Sequence, residues 1–149
     1  MYPVFLDLTG KAALVVGFGP VGRRKAEGLL AAGARVRVVA LEECVDERVE
    51  WVRGEFAEEH LDGMALCIAC VDEAVNARIV AAARARGILV CDAADGARGD
   101  FHVPAVARIG CIELAVGTGG RAPGVAARLR DALAAQVGPE WVEEALHDD

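Results

Sequence analysis

Apolar and polar positions along this chain follow two rhythms, and the changes between them mark its elements. Lys11 to Val16 ends in the run Ala12-Ala13-Leu14-Val15-Val16 and meets a glycine-rich turn, which predicts a buried strand with a hard stop. From Val21 to Ala32 the apolar residues Val21, Ala26, Leu29 and Leu30 recur near helical spacing, with Gly33 placed to end the helix. Arg35 to Ala40 returns to alternation through Val36, Val38 and Ala40, a second strand. Trp51-Val52-Arg53 is a weaker third strand and Ala65 to Ala69 a fourth. Glu73 to Arg86 reads as a helix closed by Gly87, and Ile88-Leu89-Val90-Cys91 as a fifth strand. Strands alternating with helices predict right-handed crossovers and an α/β fold, a mostly parallel sheet with helices on both faces.

After Asp95 the pattern changes. His102 to Arg108 and Cys111 to Gly117 are strand-like, and Ile109-Gly110 between them is short enough for an antiparallel hairpin. Thr118 to Pro123 then leads into a helix running to about Val137, with Pro123 suited to its first turn. Gly138-Pro139 breaks that helix, and Glu140 to Leu146 is expected to form a last helical piece. The expected organisation is therefore a parallel body over residues 1–95 and a hairpin-and-helix appendage over 96–149. No internal repeat or low-complexity segment interrupts it.

Composition narrows the class. A chain of 149 residues suits one domain with at most a short appendage. Its 54% hydrophobic content excludes a disordered chain, and only 5% is aromatic. The small and β-branched remainder suits strands buried on both faces. A formal charge of −7 argues against nucleic acid as a partner, because phosphate neutralisation needs a surplus of lysine and arginine. A polyanionic small molecule remains compatible with a local basic pocket. No uncharged apolar run reaches the roughly 18 residues of a membrane span, so no membrane partner is expected. Met1 to Asp7 lacks the basic start and long apolar stretch of a signal peptide, which leads to an expected cytoplasmic location.

The cysteines are Cys44, Cys67, Cys70, Cys91 and Cys111. Cys67 and Cys70 form a C-x-x-C, but within a strand residues three apart point to opposite faces. Neither a disulfide nor a cysteine metal site is expected, and His60 and His147 have no convergent partners in sequence.

The candidate chemistry begins at Gly17-Phe18-Gly19-Pro20-Val21-Gly22, a G-x-G-x-x-G with a strand before it and a helix after it. Gly17 permits the tight turn, Gly19 lets backbone approach a pyrophosphate, and Gly22 lets the helix pack close. Pro20 and Val21 open that helix, whose unpaired N–H groups and positive dipole end suit phosphate. The motif predicts a Rossmann-like dinucleotide-binding unit. An acidic residue for the ribose hydroxyls should close the second strand, yet the sequence there is Val39-Ala40-Leu41-Glu42-Glu43. Either Glu42 reaches the ribose, or backbone at Leu41 serves instead, or these are solvated loop residues. No arginine follows the strand to recognise a 2′-phosphate, which favours NAD over NADP.

Several segments in order resemble the precorrin-2 dehydrogenase family, the N-terminal module of siroheme synthases. They are the lead-in Pro3-Val4-Phe5-Leu6-Asp7-Leu8-Thr9-Gly10, the glycine turn with Arg23-Arg24-Lys25, and the second strand Gly33 to Ala40. Asp72 to Asn76 resembles that family's Asp-x-x-Val-Asn, and Asp92-Ala93-Ala94-Asp95 its Asn-Val-Val-Asp. Phe101 to Pro104 and Thr118-Gly119-Gly120-Arg121-Ala122-Pro123 complete the series. The resemblance implies oxidation of precorrin-2, a tetrapyrrole, to sirohydrochlorin with NAD as hydride acceptor, in siroheme or cobalamin synthesis. Some relatives also insert iron or cobalt. It further implies a homodimer in which the hairpin and following helix mediate dimerisation. The chain departs from the family in Cys70-Val71, where Thr-Asp is frequent, in Asp92, where asparagine is usual, and in a loop one residue shorter after Asp95. Family members continue into a further helical region, whereas this sequence ends at Asp149.

Three sets of residues follow as candidates. Asp95 closes the fifth strand, where ligands of open α/β sheets gather, and matches the family's functional aspartate; it is the candidate for proton handling. The structural alternative is a turn begun with Gly96. Asp92 shares that role or hydrogen-bonds loop backbone, and Asn76 orients the loops around the cofactor or caps its helix. Thr118-Gly119-Gly120 before a helix resembles an anion nest, and Arg121 beside it suits a substrate carboxylate, unless it is a solvated surface arginine. His102, near Asp95, reads as ordinary structure. No resident metal is expected. The alternative function is an NAD- or tetrapyrrole-binding regulatory or delivery module without turnover.

Overall fold

The computed structural model of the chain describes residues 1–138 and Trp141. Apart from Trp141, the expected helix over 140–146 lies outside the described residues, as does His147. The elements are β1 (Ala12–Val16), α1 (Pro20–Ala31), β2 (Arg35–Ala40), β3 (Val49–Arg53), β4 (Leu66–Ala69), α2 (Glu73–Ala85) and β5 (Leu89–Asp92), then β6 (Ala105–Ile109), β7 (Ile112–Val116) and α3 (Pro123–Gln136). Short 3-10 turns occupy Glu58–Leu61 and Gly96–Arg98. The first five strands form one parallel sheet in the order β3-β2-β1-β4-β5. The chain moves outward from β1 through β2 to β3, then crosses to the other side of β1 for β4 and β5. The direction of winding therefore reverses between β1 and β4.

Strand alternation sorts the core into two layers. Ala13 and Val15 of β1, Val36 and Val38 of β2, and Leu66 and Ile68 of β4 pack with Ala26 and Leu29 of α1. Leu14 and Val16, Val39, and Cys67 and Ala69 face the opposite way, packing with Ile79, Val80 and Ala83 of α2. One helix on each face buries both sides of the central strands, which explains runs of valine, alanine and leucine without polar alternation. Asp72 caps α2 by accepting from the N–H groups of Ala74 and Val75, each at 3.1 Å. After β5 the chain turns through Gly96–Arg98 and returns along the outer side of that strand. Asp100 N–H donates to the Val90 carbonyl at 2.7 Å, and the Asp100 carboxylate accepts from Val90 N–H at 3.1 Å. Gly99 makes that return possible, because a Cβ there would lie 3.0 Å from the Asp92 nitrogen.

The chain divides into two compact units, Met1–Phe101 and a second beginning at His102. In the second unit β6 and β7 pair antiparallel from Ala105↔Val116 to Ile109↔Ile112. β6 starts at Ala105 rather than His102, since Pro104 has no N–H to give a ladder. The turn is Gly110-Cys111, one residue later than Ile109-Gly110. Gly110 takes φ +57 at the first central position, the backbone of a II′ hairpin that favours glycine there. α3 packs on both strands. Among the described residues of this unit, Ala126 is the one buried hydrophobic side chain, while Val125, Leu129 and Leu133 lie exposed at helical spacing.

Candidate functional site

Sheet register assembles the site. Val39, Val16, Ala69 and Asp92 lie in one row across β2, β1, β4 and β5. Gly17-to-Gly22, Leu41-Glu42, Cys70-to-Asp72 and Asp92-to-Asp95 therefore leave the sheet along the same C-terminal edge, around the point where the winding reverses. Ligands of open α/β sheets bind at such a point.

The glycine turn is fixed by close approach. Gly17 donates to the Val39 carbonyl at 2.8 Å and has φ +91. A Cβ on Gly17 would stand 2.5 Å from the Cys70 carbonyl oxygen, so a side chain fits there neither by conformation nor by space. A Cβ on Gly22 would collide with the Gly17 carbonyl, which lets α1 start directly against the turn. Gly19 is different: a Cβ there would meet nothing within 4 Å. Its open side adjoins the start of α1, which has no side-chain cap and no acidic residue in its first turn. The positive end of that helix thus faces open space without a protein anion to satisfy it. Arg23 steadies the turn by donating to the Phe18 carbonyl at 3.0 Å, its guanidinium lying 4.6 Å above the Phe18 ring. These features fit a dinucleotide pyrophosphate set against Gly19, Pro20 and Val21 and held by N–H groups of the helix start, to which Pro20 contributes none.

At the end of β2 the Ala40 carbonyl accepts from Trp51 Nε1 and Gly54 N–H. Leu41 is 63% exposed. Glu42 is exposed as well, and among the described residues no hydrogen bond or ion pair occupies its carboxylate. An open cleft of about 540 Å³ adjoins this side of the turn, between Phe18, Arg23 and Glu27 and the segment Val45-to-Arg48.

On the other flank lies a polar network. Asn76 is fully buried, accepts from Val71 N–H at 3.1 Å and donates through Nδ2 to Asp92 Oδ1 at 2.8 Å. The same Asp92 oxygen accepts from the N–H groups of Ala94 at 2.9 Å and Asp95 at 3.2 Å. Asn76 thereby ties the β4–α2 turn to the loop after β5, and Asp92 organises loop backbone. Asp95 is half-exposed and accepts from Ala97 N–H at 3.0 Å, so it begins the Gly96–Arg98 turn while keeping one oxygen free of backbone. Sequence reading passed over Arg98, whose guanidinium reaches Asp92, Asp95 and Glu73. The Asp92-x-x-Asp95-x-x-Arg98 spacing was the available signal, since three-residue steps bring side chains together across a helical turn.

Thr118, Gly119, Gly120 and Arg121 belong to the second unit. Thr118 Oγ1 accepts from Ala122 N–H at 3.1 Å and its carbonyl from Arg121 N–H at 3.3 Å, closing the turn before α3. Arg121 is exposed, and no hydrogen bond or ion pair engages it among the described residues. His102 packs on this turn, with its Cε1 3.3 Å from where a Gly120 Cβ would stand.

Cys67 and Cys70 lie in the α2-side and α1-side layers respectively, as strand alternation requires. Burial pushes the Cys67 thiol up to about 12 and the Cys70 thiol up to about 11. None of the five cysteines is joined in a disulfide. Among the described residues no cluster of His, Cys, Asp and Glu is placed to hold a metal ion, and no helix is long and apolar enough to cross a membrane.

The NAD_binding_7 family model, described as NAD(P)-binding, matches residues 4–105. The chain belongs to this NAD(P)-binding family. It is also similar to the siroheme synthase of Photorhabdus laumondii, 37% identical over 141 residues, and to that of Photobacterium profundum, 40% identical over 141 residues. Each match covers 89% of this chain and 30% of the relative, so the chain spans under a third of the length of these relatives. Among solved structures it resembles SirC, a precorrin-2 dehydrogenase, with a TM-score of 0.77 and 27% identity. That match covers 98% of this chain and 76% of SirC. The match thus takes in the parallel sheet as well as the antiparallel hairpin and the helix that follows it.

Proposed function

We propose that this chain catalyses the NAD-dependent oxidation of precorrin-2 to sirohydrochlorin in siroheme or cobalamin synthesis. The observation that carries this reading is the shared edge. An anion-ready helix start opens at the β1–β4 reversal, and a half-exposed carboxylate, Asp95, lies in the loop that follows β5 from the same edge of the sheet. The likenesses to siroheme synthases and to SirC support precorrin-2 as the substrate.

Bound NAD supplies the hydride acceptor, the part of the chemistry no side chain provides. The unpaired N–H groups and dipole at the start of α1 would hold the pyrophosphate against Gly19, Pro20 and Val21, Pro20 giving no N–H of its own, and Leu41 with Glu42 would take the adenosine ribose. Absence of an arginine directly after β2 favours NAD over its 2′-phosphorylated form. Asp95 accepts the proton released as the substrate loses its hydride, through the oxygen not used by Ala97. Thr118, Gly119, Gly120 and Arg121 take a substrate carboxylate, with Arg121 free to form a bidentate pair. The acting form is a cytoplasmic homodimer. What supports the dimer is the second unit, where α3 leaves Val125, Leu129 and Leu133 uncovered over a two-stranded hairpin too small to be stable alone.

The test supplies precorrin-2 and NAD to the folded chain and follows sirohydrochlorin absorbance together with NADH. Stoichiometric appearance of both is expected. Tight binding of NAD and tetrapyrrole with no NADH would overturn the enzymatic reading in favour of a delivery module. Asp95→Asn is expected to lower turnover at least tenfold, on the order of what a positioned proton acceptor contributes.

A further inference from the structure

The loop that follows β5 puts three charged side chains within one turn of each other. Asp92 is the last residue of the strand, Asp95 precedes the 3-10 turn and Arg98 ends it. Arg98 Nε lies 2.9 Å from Asp92 Oδ2 and 3.5 Å from Asp95 Oδ2, while its NH1 reaches Glu73 Oε1 at 3.1 Å. The Asp92 side chain is completely shut off from solvent and the Arg98 side chain is 28% exposed. Asp92 Oδ1 is fully used by Asn76, Ala94 and Asp95, whereas Oδ2 has no hydrogen-bond donor among the described residues. Arg98 Nε likewise has no acceptor in hydrogen-bond geometry. The two atoms face each other as an ion pair held off the hydrogen-bond line.

A fully buried carboxylate without a counter-ion is strongly unfavourable, so Asp92 fixes the guanidinium in place. A guanidinium held at Nε by one carboxylate becomes a fixed reference for whatever else lies against that nitrogen. What it touches is Asp95, whose carboxylate has only the Ala97 N–H as a second hold. We infer that Arg98 is a positioning residue for Asp95, clamped by buried Asp92 so that the Asp95 carboxylate stands at the open edge of the sheet in one orientation. Asn76, Asp92, Arg98 and Asp95 then form a continuous chain from the wall of the dinucleotide crevice to the carboxylate. The inference rests on the proposed role of Asp95, and the cluster's remaining charge, Glu73, sits on the far side of the guanidinium.

Arg98→Met leaves Asp92 without its counter-ion and risks the fold, so the informative variant is Arg98→Met combined with Asp92→Asn. The asparagine keeps the shape of residue 92 and removes the buried charge. In that double variant the melting temperature and NAD affinity are expected near those of the parent. Turnover is expected to fall about tenfold or more, in kcat rather than in KM for NAD, as small misplacements of a reacting group do. Full recovery of kcat would overturn the inference, because it would mean that Arg98 serves Asp92 alone. Adding the double variant to Asp95→Asn is expected to cost nothing more, and multiplying losses would equally overturn it.

A second readout needs no turnover. Hydrogen exchange at the Ala97 amide, which the Asp95 carboxylate protects, is expected to quicken several-fold in the double variant. Unchanged Ala97 exchange overturns the clamp even if the chemistry assigned to the chain is correct. Undiminished turnover in Asp95→Asn with faster Ala97 exchange in the double variant removes the chemical role of Asp95 and leaves the clamp standing.

Discussion

Asn76 donates to Asp92 at 2.8 Å across two loops, and neither side chain reaches solvent. The pair joins the turn after β4 to the loop after β5, so that whole flank of the reversal point is one hydrogen-bonded body. Buried polar groups of this kind cost most when half of the pair is removed. Asn76→Ala leaves both Asp92 Oδ1 and the Val71 N–H short of a partner, and is expected to destabilise the chain by about 3 kcal/mol. A urea midpoint unchanged from the parent would show that the pair carries no such weight.

Two glycines of one motif should respond in opposite ways. Gly17→Ala puts a Cβ against the Cys70 carbonyl at a φ of +91 and is expected to cost about 3 kcal/mol or more of stability. Gly19→Ala meets no neighbour and keeps an ordinary φ of −65, so its melting temperature should match the parent. Its cost is expected in the cofactor instead, a rise of about tenfold or more in the dissociation constant for NAD, equivalent to about 1.4 kcal/mol or more. Calorimetry with NAD checks this, and unchanged affinity in Gly19→Ala would remove the pyrophosphate from that side of the turn.

The thiols supply a pH dependence with a definite sign. Burial raises Cys67 from an ordinary 9.0 to about 12, so between those values the folded chain keeps a proton that the unfolded chain has released. Stability from this group is complete below about pH 9 and is lost as pH rises toward 12. Cys67→Ser should alter the slope of stability against pH in that window and nowhere below it. At neutral pH, alkylation of the folded chain is expected first at exposed Cys111, with Cys67 and Cys70 reacting only after unfolding. Mass spectrometry after a short exposure identifies the labelled site.

The stripe on α3 predicts the assembly. Leu129→Lys places a charge between Val125 and Leu133 without touching Ala126, the buried contact of that helix. Sedimentation is expected to show a dimer for the parent and a monomer for this variant. A monomeric parent would remove the second copy from the proposal.

Much of the parallel body was legible because its signals are local. A run such as Ala12-to-Val16 ending at Gly17 carries its own stop, and a helix between Pro20 and Gly33 carries both ends. The hairpin was harder. Its turn depends on which residue adopts a positive φ, and the strand-like pattern from His102 extends across Pro104, which cannot enter a ladder. The grouping of Gly17, Cys70 and Asp92 comes from register between strands distant in sequence, and only the assumption of a parallel sheet gave access to it. Arg98 was missed for a different reason. Its spacing from Asp92 and Asp95 hints at contact, but nothing in the sequence marks the carboxylate that closes β5 as buried.

Asp100 has a consequence for how the sheet meets other chains. By engaging both the N–H and the carbonyl of Val90, it occupies the groups that a sixth strand would use on the β5 margin. An unpaired margin is the ordinary starting point for runaway strand addition between molecules, and here the protein engages it at Val90 with the N–H and the carboxylate of one of its own residues. Growth of the sheet in that direction is sealed from within the chain, and the tight passage at Gly99 is what keeps the seal flush.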